Sequence, residues 1–206
     1  MVIIDYQAGN LTSVVRSFKA LGVEGRVTQD PAEVAAASRV VFPGVGAAGK
    51  AMATLKELGL DQALKESFRK GAPILGICLG AQIILEYSEE NDLTPCLGLL
   101  PGRTRSLPRQ AGLKIPHMGW NRVRFLKPLP VFQGLPEEAE YYFVHSYYPD
   151  PAEQSMVLGV TEHGVQFPSA LGWRNLVATQ FHPEKSGRFG LQILKNFLAW
   201  DGAHAE

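Results

Sequence analysis

The sequence predicts an α/β fold, with a mostly parallel central sheet, helices on both faces and an antiparallel extension. Three observations carry that prediction. Residues 2–6, 39–42 and 74–77 are near-solid apolar runs of strand length, as expected for strands buried on both faces. Segments of helical periodicity separate them, giving a β-α-β-α-α-β order that suits a parallel sheet covered by helices. Beyond residue 120 the apolar residues alternate with polar ones instead, as antiparallel strands do.

Residues 2–6 are the first strand. Asn10 reads as an N-cap, and Leu11, Val14, Val15, Phe18 and Leu21 recur at helical spacing up to Gly22, a C-terminal glycine. Residues 25–28 make a short strand, and residues 31–37 a short helix that opens on Pro31. The strand over 39–42 closes in Pro43-Gly44-Val45-Gly46. Two helices follow, about 47–58 and 60–70, ended by Gly59 and Gly71, with Arg69 and Lys70 at the negative end of the dipole. The strand over 74–77 leads into a helical segment over 81–87. Residues 91–116 are rich in Pro and Gly and yield no element. Residues 121–126 alternate, Val123 and Phe125 against Arg122 and Arg124. Further strands are expected over 141–145, 157–160, 170–173 and 176–181, and Phe189, Leu191, Leu194, Phe197 and Leu198 form a closing helix. No repeat, low-complexity tract or linker interrupts the chain, so one domain over 1–206 is expected.

Composition narrows the function. Twenty basic residues balance 20 acidic ones, so the formal net charge is zero, and no basic block stands out. Nucleic acid and anionic membrane are poor partners for such a surface. Two cysteines make no disulfide framework, and residues 1–6 lack the basic segment of a signal peptide. No apolar run approaches the roughly 20 residues that span a bilayer. A cytoplasmic protein with reduced Cys78 and Cys96 is the expectation.

The chemistry centres on Gly76-Ile77-Cys78-Leu79-Gly80. A buried strand running into a tight turn between two glycines, with a helix following at once, is the layout of a nucleophile elbow with cysteine for serine. The free N–H groups and positive end of that helix favour a thiolate. The alternative is a core cysteine beside two turn glycines. A thiolate nucleophile needs a base and the base an orienting acid. His182 and Glu184, in Phe181-His182-Pro183-Glu184, are two apart in a segment that Pro183 biases to be extended, so they share a side. The alternative there is a surface turn with an incidental His and Glu. Both Cys78 and His182 fall at the carboxyl ends of expected strands, where sites in open α/β sheets gather. Pro43-Gly44-Val45-Gly46 also follows a strand, and its backbone N–H groups can join that of Leu79 in stabilising an oxyanion. The same stretch spells G-x-G-x-x-G over 44–49, the dinucleotide fingerprint. Two consecutive helices follow it in place of the required strand and acid, which argues against a nucleotide.

Gly-Ile-Cys-Leu-Gly-Ala-Gln at 76–82, with Phe-His-Pro-Glu at 181–184, resembles the class I (triad) glutamine amidotransferases. Within them, Pro-Gly-Val-Gly-Ala at 43–47, His-Met-Gly-Trp-Asn at 117–121, Tyr-Phe-Val-His-Ser-Tyr-Tyr at 142–148 and His-Pro-Glu-Lys-Ser-Gly at 182–187 look like one branch. That branch is the glutaminase subunits of imidazole glycerol phosphate synthase, from histidine biosynthesis. The resemblance spans nearly the whole chain and implies the flavodoxin-like fold of the family. It implies that Cys78 attacks the glutamine amide, His182 moves protons and Glu184 orients the imidazole. It further implies an oxyanion hole from the backbone of Val45 and Leu79, and a glutamine pocket lined by Gly44, Gly46, Gln82, Ser146 and Tyr147. Ammonia would pass to a separate (β/α)₈ cyclase subunit, with Asn10, Trp120, Tyr142 and Lys185 near that partner. No metal or organic cofactor is implied.

Ala81 and Ala48 depart from the larger residues usual in the family, which bears on packing beside the site. His145 also reads as a packed strand histidine and Cys96 as a small loop or core residue, while His163 and His204 receive no role. The rival readings are an amidotransferase subunit of vitamin B6 or anthranilate synthesis, a stand-alone cysteine hydrolase and a nucleotide-binding module.

Overall fold

The computed structural model describes every residue except 8, 10, 110, 111, 138 and 204–206. Asn10, expected as an N-cap and a partner contact, therefore lies outside the described residues, as does His204. The chain opens with β1 (Val2–Ile4), α1 (Thr12–Ala20), β2 (Arg26–Thr28), α2 (Pro31–Ala36) and β3 (Val40–Gly44). Helices α3 (Ala48–Glu57) and α4 (Leu60–Lys70) return it to β4 (Ile74–Cys78), which runs straight into α5 (Leu79–Ile83). Short strands β5 (Tyr87–Ser88) and β6 (Thr94–Pro95) precede β7 (Gly102–Ser106), β8 (His117–Arg122) and β9 (Arg124–Phe125). Then come β10 (Glu140–His145), β11 (Tyr147–Pro151), β12 (Val157–His163), β13 (Val165–Trp173), β14 (Leu176–Thr179) and the closing helix α6 (Gly187–Ala199).

The main sheet has the order β2-β1-β3-β4-β14-β13-β12-β9. Neighbours from β2 to β14 are parallel, and β13, β12 and β9 extend the sheet antiparallel. Successive strand residues bury on opposite faces, as the pleat requires. Ile4, Phe42 and Ile74 share one apolar cluster with Leu55 of α3 and Leu64 of α4. Ile3, Val41, Leu75 and Val177 share the other with Phe18 of α1 and Leu194 and Phe197 of α6. Each such side chain contributes about 2 kcal/mol on full burial, so the unbroken apolar runs hold both helical layers at once. The ends of the helices follow local chemistry. Pro31 opens α2, and the Asp30 carboxylate caps it by accepting the Ala32 N–H at 2.8 Å.

Three parallel strands finish side by side. Gly44 pairs with Cys78 across β3 and β4, and Thr179 pairs with Ile77 across β14 and β4. The turn after β3, the elbow after β4 and the segment after β14 therefore converge on one edge.

The second half differs from expectation in places. The helix expected over 81–87 is α5, shorter and earlier: Cys78 takes the N-cap position, and by Tyr87 the backbone already pairs with β7. Residues 91–116 do contain strands, β6 and β7. β7 reads Gly-Arg-Thr-Arg-Ser and fully buries Thr104 alone, so no apolar alternation announces it. The strand expected over 121–126 starts at His117 and breaks at the buried Val123, since β8 pairs with β10 whereas β9 pairs with β12. β11, with two prolines, survives as an edge strand of the sheet β11-β7-β5-β6.

Candidate active site

Cys78 sits at φ 53° and ψ −103°, a conformation that costs a side-chain-bearing residue on the order of 1–3 kcal/mol. Its neighbours show why the turn can close. A Cβ on Gly80 would overlap the Phe42 carbonyl oxygen, and one on Gly76 would lie 3.0 Å from the Ala178 Cβ. The two glycines thus let the turn press against β3 and β14 while Cys78 is lifted to the start of α5.

His182 follows β14, and its Nδ1–H donates to Glu184 Oε1 at 2.7 Å. Both side chains are buried, and among the described residues no group lies within hydrogen-bond geometry of His182 Nε2 or Glu184 Oε2. Burial alone would lower the imidazole pKa. The negative charge and hydrogen-bonding capacity of the Cys78 sulfur, together with Glu184, outweigh it and push the pKa up to about 10. The free Nε2 is thus the atom left to face Cys78. Ser186 fixes the segment: its hydroxyl donates to the His182 carbonyl at 2.6 Å and accepts the Tyr142 N–H at 2.9 Å.

The 44–46 turn lies against this pair. A cavity of about 30 Å³ is lined by Gly44, Val45, His182, Glu184 and Lys185 among others. One of about 180 Å³ opens on the other side of the turn, between Tyr6, Gly9, Gly46 and Lys50. The Tyr6 hydroxyl, buried without a partner among the described residues, touches Gly44 where a Cβ would otherwise stand. Leu79 is the first residue of α5, next to Cys78. The start of α3, where the fingerprint would bind phosphate, is already occupied: Glu90 Oε2 accepts the Ala48 N–H at 2.6 Å. A carboxylate there counters an anionic ligand. A wider cleft of about 700 Å³, lined in part by Phe125, Leu129 and Phe132, lies apart from these side chains.

Gln82 projects from α5 beneath Tyr147. Its Nε2 donates to the Tyr147 carbonyl at 2.7 Å and to Gln180 Oε1 at 2.9 Å. Ser146 joins β10 to β11, and its carbonyl accepts the Leu107 N–H at 2.9 Å. Sequence reasoning missed Gln180, whose Nε2 lies 3.7 Å from Cys78 Sγ. The signal was present: Gln180 precedes His182 by two residues, the same spacing that pairs His182 with Glu184. It also missed that His117, His145 and His163 gather in one cluster, with His117 and His163 stacked at 4.1 Å between centroids.

β8 and β10 present a second face. Trp120 is 55% exposed and Met118 63%. The Trp120 ring meets Tyr142 edge-on at 6.1 Å, and Lys185 Nζ lies 6.0 Å from the Tyr142 ring. Three of the residues expected near a partner therefore form one patch. The strand that carries Tyr142 also reaches the elbow, where the Val144 carbonyl in β10 is 3.9 Å from Cys78 Sγ.

Residues 2–200 match the family described as glutamine amidotransferase class-I. The chain is 50% identical to the imidazole glycerol phosphate synthase subunit HisH of Moorella thermoacetica, over 96% of this chain and 93% of that one. It is 46% identical to the HisH subunit of Dehalococcoides mccartyi, over 96% of both chains. A crystal structure of a glutamine amidotransferase superposes with a TM-score of 0.76 at 17% identity, covering 98% of this chain and 100% of that one, a likeness of fold. On the profile match and these identities, the chain belongs to the class-I glutamine amidotransferases, on the branch of the HisH subunits.

Proposed function

We infer that this chain is the glutaminase subunit of an imidazole glycerol phosphate synthase. It hydrolyses L-glutamine to glutamate and ammonia and passes the ammonia to a (β/α)₈ cyclase subunit for histidine biosynthesis. The observation that carries the chemistry is the buried His182–Glu184 bond, with Nε2 left free beside a cysteine on a strained turn. The Cys78 thiolate attacks the side-chain amide carbon of glutamine, and the carbonyl π pair moves onto oxygen. The Val45 and Leu79 N–H groups stabilise that oxyanion. The tetrahedral adduct collapses as the C–N bond breaks, and His182 Nε2–H protonates the departing nitrogen, leaving a glutamyl thioester and ammonia. His182 then takes a proton from water, whose oxygen attacks the thioester. Glutamate departs and the imidazolium–thiolate pair returns. Glu184 holds the imidazole in the required tautomer throughout.

Gly44, Gly46, Gln82, Ser146 and Tyr147 line the glutamine pocket in this reading. Both Gln82 N–H groups are directed inward, so its Oε1 is the atom it offers to the amide or ammonium protons of the substrate. Trp120, Tyr142 and Lys185 meet the cyclase, and Asn10, implied there by the resemblance, lies outside the described residues. Residues 1–206 act as one amidotransferase domain. Among the described residues no helix is long and apolar enough to cross a membrane, and we place the protein in the cytoplasm, where both thiols stay reduced.

A glutamine analogue bearing a diazoketone tests the assignment. It should label Cys78, with glutamine protecting and glutaminase activity falling in step with labelling. Labelling at Cys96 alone, or full activity in the labelled protein, would overturn it.

A further inference from the structure

A chain of hydrogen bonds runs from β8 to the Cys78 sulfur, and two backbone carbonyls settle its polarity. Asn121 Nδ2 lies 2.9 Å from the Glu162 carbonyl oxygen, which can only accept, and 3.1 Å from His117 Nε2. His117 Nε2 is therefore an acceptor, and its proton is on Nδ1, which donates to His145 Nε2 at 2.9 Å. His145 in turn carries its proton on Nδ1 and donates to the Tyr147 carbonyl at 2.8 Å. That carbonyl also accepts from Gln82 Nε2, which fixes the Gln82 amide. The second Gln82 N–H donates to Gln180 Oε1, and this turns the Gln180 N–H toward Cys78 Sγ. Read from Glu162 or from Tyr147, the ring tautomers come out the same.

The chain is buried at Gln82, His117, His145 and Gln180. Burial, helped by the neighbouring imidazole of His163, pushes His117 down to about 4. Burial pushes His145 down to about 3 against the Tyr147 hydrogen bond. Both rings are thus neutral around pH 7, as the chain demands, since an imidazolium at His145 would set two N–H groups head to head. Among the described residues no group of His, Cys, Asp or Glu is placed to hold a metal. The ring nitrogens of His117 and His145 bond each other, Asn121 and backbone.

We propose that Gln180 is a catalytic N–H donor to the Cys78 sulfur, aimed by a positioning chain of Gln82, the Tyr147 carbonyl, His145, His117 and Asn121. The proposal rests on the reading of Cys78 as nucleophile. A hydrogen bond to sulfur favours the thiolate over the thiol. Gln180 cannot rotate away without breaking the bond between its oxygen and Gln82, and Gln82 is pinned by Tyr147. The titratable groups that face the sulfur are His182, backed by Glu184, and the buried phenol of Tyr6. None is a member of the chain, so replacing Gln180 leaves them in place.

The test is the rate of Cys78 alkylation by iodoacetamide against pH in the full chain, resolved from Cys96 by peptide mass spectrometry. Gln180→Met, similar in volume but without an N–H, should move the acid limb up by about one pH unit, roughly ten-fold less thiolate at a given pH. His145→Leu should shift it the same way, whereas His145→Gln, which keeps a donor and an acceptor, should restore it. A Gln180→Met profile superimposed on wild type overturns the proposal, and so does a His145→Gln shift as large as that of His145→Leu. Gln180→Met alone decides the case if His145→Leu fails to fold. Cys78→Ala separates the two readings. If it keeps glutaminase activity, the nucleophile assignment fails. If it is inactive while Gln180→Met titrates as wild type, only the chain fails.

Discussion

Tyr142 and His182 are joined backbone to backbone, the His182 N–H donating to the Tyr142 carbonyl at 2.9 Å. One residue carries its ring on the exposed face of β10, and the other bears the imidazole that we propose as the base for Cys78. Ser186 closes a loop between them, accepting the Tyr142 N–H and donating to the His182 carbonyl. These three bonds tie β10 to the segment that carries the imidazole. Ser186→Ala leaves the Tyr142 N–H without its acceptor, which should cost about 1–3 kcal/mol in urea unfolding. It should also lower partner-stimulated glutamine turnover. Unchanged stability and turnover would show the hydroxyl to be idle.

Trp120 supplies the largest exposed aromatic surface of the β8–β10 face. Such residues dominate binding where a partner buries them. Trp120→Ala should weaken the complex with the cyclase subunit by about 2 kcal/mol, roughly thirty-fold. The folding stability of the isolated chain should move less, because more than half of Trp120 is already in water. Titration calorimetry on the two purified subunits checks the first part, and urea unfolding of the isolated chain checks the second.

Two glycines beside the site, Gly80 of the elbow and Gly44 at the end of β3, yield a contrast. A Cβ at Gly80 meets the Phe42 backbone carbonyl, whereas one at Gly44 meets the Tyr6 hydroxyl. Both alanine variants should lose about 1–3 kcal/mol by overpacking. Only the second should be eased by trimming a side chain: Tyr6→Phe removes the nearest atom but leaves Cζ at 2.9 Å, so it should recover part of the Gly44→Ala loss and none of the Gly80→Ala loss. A double-mutant cycle by chemical denaturation reads the coupling.

How much of this the sequence announces depends on what drives each element. The parallel half is legible because its strands are buried on both faces, so runs such as residues 74–77 stand out against amphipathic helices. Cys78, His182 and Glu184 are legible because strand ends and two-residue spacing are local facts. β7 and β11 are not, since polar strands held by pairing, with Thr104 as the buried residue of β7, leave no apolar rhythm. The link from Asn121 to Cys78 is invisible for another reason: it is anchored on the Glu162 carbonyl and passes through that of Tyr147, and backbone acceptors carry no residue identity.

Stability should peak near neutral pH, with two independent flanks. His117 and His145 have depressed pKa values, so the unfolded chain binds protons below about 6.5 that the native chain refuses until about 4 and 3. Their contribution is whole above about 6.5 and is lost as pH falls through that window. Burial would lower His182 too, but Cys78 and Glu184 raise it to about 10. Its contribution is whole below about 6.5 and is lost as pH climbs toward about 10. Urea unfolding across this range should show both flanks, with His145→Gln flattening the acid one and Glu184→Gln the alkaline one.

The central claim is that Cys78 makes ammonia for chemistry on another subunit, and one variant tests it most directly. In the complex of Cys78→Ala with the cyclase subunit, glutamine-dependent ring formation should be abolished while the same complex still runs on added ammonium at the wild-type rate. Glutamine-dependent product from the Cys78→Ala complex would contradict the account.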